Sequence, residues 1–168
     1  TMPVGSAMQR NRQALLGIAI VIAACSGPSE RRQAGPPFQP VASVGEVMHD
    51  IVLPNAEAVW DSVGTIFTVG NTEEIAPGSE DEWIGVRSSA TTLMEAGNLL
   101  MMDGRAKDNG PWMARSQALI DAGASVREAA EARDAQLVFD RGELIFNACQ
   151  GCHFEYRFEE DPETIRSH

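Results

Sequence analysis

Cys149-Gln150-Gly151-Cys152-His153 is the stretch on which the reading of this chain turns. C-x-x-C-H is the spacing of a covalent c-type haem attachment site. Two thiols one helical turn apart can each form a thioether with a haem vinyl group, and the adjacent histidine sets an imidazole under the iron as proximal ligand. Two other chemistries use a C-x-x-C. A structural zinc site needs two more ligands of Cys or His type, and the remaining histidines are His49 and His168. A thioredoxin-like dithiol belongs in a βαβ setting, whereas the flanks here have helical periodicity. One covalent haem c is the expected cofactor, tethered by Cys149 and Cys152 with its iron on His153.

The position of the motif constrains the architecture. Fifteen residues follow His153, and no methionine follows Met113. A second axial ligand must therefore come from upstream sequence, and that sequence is helical in pattern. Four segments carry apolar residues at spacings of three and four. The first covers about 44–63, with Val44, Val47, Met48, Ile51, Val59 and Val63 on one broad face; Pro54 should bend it. The second covers about 79–102, opened by the capping-box pair Ser79 and Glu82. The third covers about 111–133, with Pro111 in its first turn. The fourth covers about 134–156, with Leu137, Leu144, Ile145, Ala148, Cys152 and Tyr156 facing inward. No segment shows the period-2 alternation of a strand. The expected fold is all-α, an antiparallel four-helix bundle with covalent haem on its last helix. Its two longer loops are 64–78 and 103–110, and the first is long enough to cover part of the haem edge.

The third cysteine belongs to a different chemistry. Arg10 and Arg12 precede an apolar run, residues 14–24, that is too short to span a bilayer. That is the layout of a secretory signal. Ile22-Ala23-Ala24-Cys25 resembles the bacterial lipobox, in which the signal is cut before a cysteine that carries lipid. The expected organisation is a signal peptide over 1–24, lipidation at Cys25, a Pro/Gly-rich linker over 25–43 and the helical domain over 44–168. An ordinary signal peptide cut nearby, or an uncleaved anchor, is the alternative. Covalent haem is attached outside the bacterial inner membrane, so a periplasmic, lipid-anchored location agrees with the motif. By resemblance to Gram-negative lipoproteins, Ser26 in place of Asp after Cys25 implies the outer membrane over the inner one.

Charge narrows the partners. The formal net charge is −11, and loss of two arginines with no acid takes it to −13 after cleavage before Cys25. An acidic surface argues against nucleic acid and against direct adhesion to anionic lipid. It favours a redox partner with a basic surface, and leaves membrane contact to the lipid on Cys25.

Residues 44–157 resemble the cytochrome c′ family, four-helix bundles with haem on the last helix. The resemblance rests on Cys149-x-x-Cys152-His153-x-x-Tyr156-Arg157 and on Val47-Met48 in the first helix. It implies a basic residue near the proximal histidine, here Arg157, and a first-helix side chain over the open iron face, here Met48. A Met48 thioether on iron would give a six-coordinate haem suited to electron transfer; an unligated Met48 would leave five-coordinate iron able to bind NO or CO. Pairing of two bundles through their first helices is a further family trait. His49 neighbours Met48 and points about 100° away on a regular helix, which makes it a surface residue. A peroxidase would need a distal base with a positive group above iron, and His49 is its one candidate. The chain is accordingly read as a one-electron carrier and not an enzyme, with NO or CO binding as the alternative.

Overall fold

The computed structural model describes residues 38–157. The signal peptide, Cys25 and most of the expected linker lie outside the described residues. Residues 38–43, the linker's last part, are irregular, with a bend at Ala42 and extended dihedrals at Ser43.

Ser43 opens the helical body. Its hydroxyl accepts the Glu46 backbone N–H at 3.2 Å, and the Glu46 carboxylate accepts the Ser43 N–H at 2.7 Å. This reciprocal box satisfies donors that a helix start leaves orphaned. Helix α1 (Val44–Glu46) continues into a π-helical segment (Val47–Val52) and then α2 (Leu53–Trp60). Pro54 gives the physical reason for the wide turn. Proline brings no N–H, and its ring crowds the carbonyl four residues back. Here the Leu53 N–H reaches Met48, five residues back. The bend expected at Pro54 thus takes the form of a widened turn. Burial records it: Val47, Val52, Ala56, Val59 and Val63 point inward, so the buried face steps by five residues before returning to helical spacing. Ile51, expected inward, is only half-buried.

Loop 64–78 corrects the all-α expectation. It contains an antiparallel hairpin, β1 (Gly64–Thr68) and β2 (Asn71–Ile75), with Thr68 opposite Asn71 and Gly64 opposite Ile75. Gly70 turns the chain at φ 84°, a conformation glycine adopts without steric cost. Nearly every hairpin residue is exposed. With no face buried, nothing imposes the alternation that reveals a strand.

Three long helices complete the body: α3 (Glu80–Leu100), α4 (Pro111–Glu131) and α5 (Ala135–Tyr156). Ser79 and Glu82 form the expected capping box on α3, Pro111 opens α4, and the Asp134 carboxylate accepts the Leu137 N–H at 2.9 Å to cap α5. α3 packs on α4, α4 on α5, and α2 on α3 and α5. Leu93, Val126, Val138 and Ile145 are fully buried at the centre. On α5, Leu144 was expected inside but is exposed, while Val138 and Gly142 take the buried positions.

A buried arginine pins the start of the first run. Arg105, 7% exposed in the α3–α4 connection, donates through Nε and Nη2 to the Ala42 carbonyl at 3.1 and 2.9 Å. Its Nη1 donates to the Leu99 carbonyl at 2.5 Å. No helix among the described residues is long and apolar enough to cross a membrane.

Candidate functional site

The C-terminal part of α5 carries Cys149, Cys152 and His153 on one face of the helix, as i, i+3 and i+4 spacing requires. They face a cavity of about 440 Å³ between α5, α4 and the first helical run. Its walls are mostly apolar: Val52, Ala56 and Trp60 on one side, Leu119 and Phe146 on the others. That volume and lining match a site for a small organic ligand.

Met48 enters the same cavity from the π-helical segment. The structure therefore brings together Met48 and the three motif residues, which sequence alone separates by most of the described chain. His49 also lines the cavity, although its side chain is 83% exposed and bonded through Nδ1 to the Asp50 carboxylate at 2.7 Å. A π-turn has more residues per turn than an α-turn, so neighbours diverge less than the regular helix used in the sequence reading. His49 is a surface residue, as expected, yet it stands at the cavity mouth.

Arg157 does not line the cavity. It is the C-cap of α5, exposed, and its backbone N–H donates to the His153 carbonyl at 3.1 Å. A different cation does. Arg115 of α4 lines the cavity wall, and its Nε donates to the Glu155 carboxylate at 3.1 Å. The sequence reading passed over Arg115, because nothing in its spacing marks an exposed arginine near the start of a helix.

Tyr156 is more than packing. Its hydroxyl donates to the Asp108 carboxylate at 2.5 Å, and its ring meets Trp112 edge-on with centroids 5.0 Å apart. Asp108 also accepts the backbone N–H groups of Gly110 and Trp112, at 2.7 and 3.1 Å, where α4 begins. The end of the motif helix is thereby fastened to the α3–α4 connection. The phenol holds the Asp108 carboxyl below its usual range, with the Gly110 N–H helping. Burial, with Asp108 next, pushes the Tyr156 phenol up.

Burial likewise raises both thiols, and at Cys152 the neighbouring Cys149 adds to the rise while Arg115 opposes it. A dithiol oxidoreductase needs a low thiol pKa to supply thiolate; these two are shifted the other way. Among the described residues, no three His, Cys, Asp or Glu side chains converge to hold a metal ion. What the arrangement offers is an apolar slot with two thiols and an imidazole along one wall and a thioether on another. The hairpin takes no part. Thr65, Glu74 and Ile75 flank Ala135 and Phe139 at the start of α5, about 15–21 Å along the helix from Cys149 at 1.5 Å per residue. No residue of loop 64–78 lines the cavity.

No family model matches the chain, and comparison with curated proteins and with solved structures gives no match.

Proposed function

We propose that this chain is a c-type cytochrome of the cytochrome c′ kind, an antiparallel four-helix bundle that binds one haem covalently and carries single electrons in the bacterial periplasm. The reading includes removal of residues 1–24 and a lipid anchor on Cys25. The observation that supports it most is the convergence of Cys149, Cys152, His153 and Met48 on one apolar cavity. When bound, haem supplies a one-electron ferric–ferrous couple.

The chain's own residues supply the rest. Cys149 and Cys152 fix the ligand to α5 at two points. His153 offers a nitrogen donor on the same turn, and Met48 offers a soft sulfur donor from the facing wall. Val52, Ala56 and Leu119 give the cavity buried apolar walls, and a low local dielectric strengthens electrostatic interactions beside them. Arg157 sits one turn beyond His153 at the C-terminus of α5, where a cation is favourable. The net charge of −11, which becomes −13 once residues 1–24 with Arg10 and Arg12 are removed, suits a redox partner with a basic docking face.

Acid-acetone extraction of the protein matured in a cytochrome c-competent host tests the reading. Haem should stay with the polypeptide in the wild-type protein and be absent from Cys149→Ala/Cys152→Ala. A wild-type protein that never acquires haem, or releases it freely, overturns the assignment.

A further inference from the structure

The cavity lining is mostly apolar, with one guanidinium among it. Among the described residues that line it, Arg115 alone carries a permanent charge. Its seat is specific. A Cβ built on Gly151, the residue between Gln150 and Cys152, would stand 2.9 Å from Arg115 Nη1 and 3.4 Å from its Cζ. The guanidinium therefore lies over the one position of the motif that has no side chain. Glu155, one turn along α5, holds it there through Nε. A motif glycine, a cavity-wall cation and its counter-ion form one unit spanning α4 and α5.

We propose that Arg115 is a positioning and charge-setting residue of this site: seated on Gly151, it favours the reduced state of the centre held by Cys149, Cys152 and His153, and Glu155 tempers it. The inference rests on the haem reading above. Reduction adds one electron and lowers the charge of the centre by one. A fixed positive charge beside the cavity opposes the oxidised state more than the reduced one, by an amount that grows as the local dielectric falls. The ion pair is part-exposed, with side chains 45% and 35% accessible, so the effect is modest and screened by salt. Gly151 enters because any larger residue displaces the guanidinium. The displaced atom is the far end of a flexible side chain, so the cost falls on the seat of Arg115 and not on the helix.

Midpoint potentials of the holoprotein, poised against a mediator-coupled electrode that supplies the electron, test this. Arg115→Gln should lower the reduced-to-oxidised ratio at fixed potential by about threefold to tenfold, the upper end being 59 mV for a one-electron couple. Glu155→Gln should shift it the opposite way. Gly151→Ala should retain covalent haem and reproduce the sign of Arg115→Gln. The Gly151→Ala/Arg115→Gln double variant should then add nothing to Arg115→Gln alone. A purely structural salt bridge would not give opposite signs for its two partners. Unchanged potentials in Arg115→Gln, or a Gly151→Ala shift that persists in full without Arg115, overturn the proposal while leaving the cytochrome reading intact. A wild-type protein with no haem couple to titrate removes that reading instead, and this inference with it.

Discussion

Trp60 donates its indole N–H to the Gly142 carbonyl at 3.0 Å, joining the first helical run to the motif helix across 82 residues. A Cβ on Gly142 would stand 3.2 Å from Trp60 Cδ1. Trp60 also forms part of the cavity wall, so this contact sets the separation of the two elements that carry Met48 and Cys149.

Gly142→Ala should therefore destabilise the holoprotein despite its better helix propensity. Propensity gains about 0.5–1 kcal/mol, and overpacking costs about 1–3 kcal/mol, so the loss should win. Trp60→Phe should cost about 0.5–1.5 kcal/mol for the missing hydrogen bond. Denaturant midpoints measure both. A Gly142→Ala protein more stable than wild type would mean that Trp60 yields freely.

The Tyr156–Asp108 bond predicts a pH dependence at both extremes. Asp108 is held below its usual value in the folded state, so its contribution is present above about pH 4 and is lost as pH falls through the lowered folded value. Tyr156 is raised, so its contribution is complete below about pH 10 and is lost as pH rises toward its folded value. Asp108→Asn should flatten the acid arm of a thermal-midpoint profile, and Tyr156→Phe the alkaline arm. Profiles that keep the wild-type shape would show that the bond does not persist in solution.

On the proposed haem reading, Met48 separates electron transfer from gas binding. With its thioether on iron, the ferric protein should be low-spin, with the weak near-infrared band of sulfur–iron ligation. Met48→Leu nearly conserves volume and should cost under about 1.5 kcal/mol. It should yield five-coordinate iron that binds CO and has a lower potential. A wild-type spectrum already high-spin, and unaltered by Met48→Leu, would move the function to NO or CO binding.

If Cys25 carries a lipid as proposed, Cys25→Ser should release the protein into the soluble periplasm with its visible spectrum unchanged. Fractionation of the variant checks this. Continued pelleting with membranes would mean that residues 14–24 stay on as an anchor.

The helices were legible where local chemistry declares itself. Ser79 with Glu82, Pro111, and the apolar spacing of α3 to α5 all mark boundaries that the structure reproduces within a few residues. Two features were not. The hairpin hides because neither of its faces is buried, although Thr65, Ile66, Phe67 and Thr68 before Val69-Gly70 are a strand-and-turn composition. The π-turn hides because a pattern search assumes one period, and the step from Val47 to Val52 breaks it. The motif residues of the site were readable from spacing. Arg115 was not, since its place over Gly151 exists only once α4 packs on α5.

Arg105 has a mechanical consequence. Any tension arriving along the chain before Phe38 meets the helical body at Ala42, whose carbonyl is gripped by two guanidinium nitrogens. The third grip, on Leu99, passes that load to the far end of α3. A pull on the N-terminal segment is thus shared by the α3–α4 corner and does not fall on the Ser43–Glu46 capping box alone. The wall that carries Met48 is shielded from strain in whatever holds the domain in place.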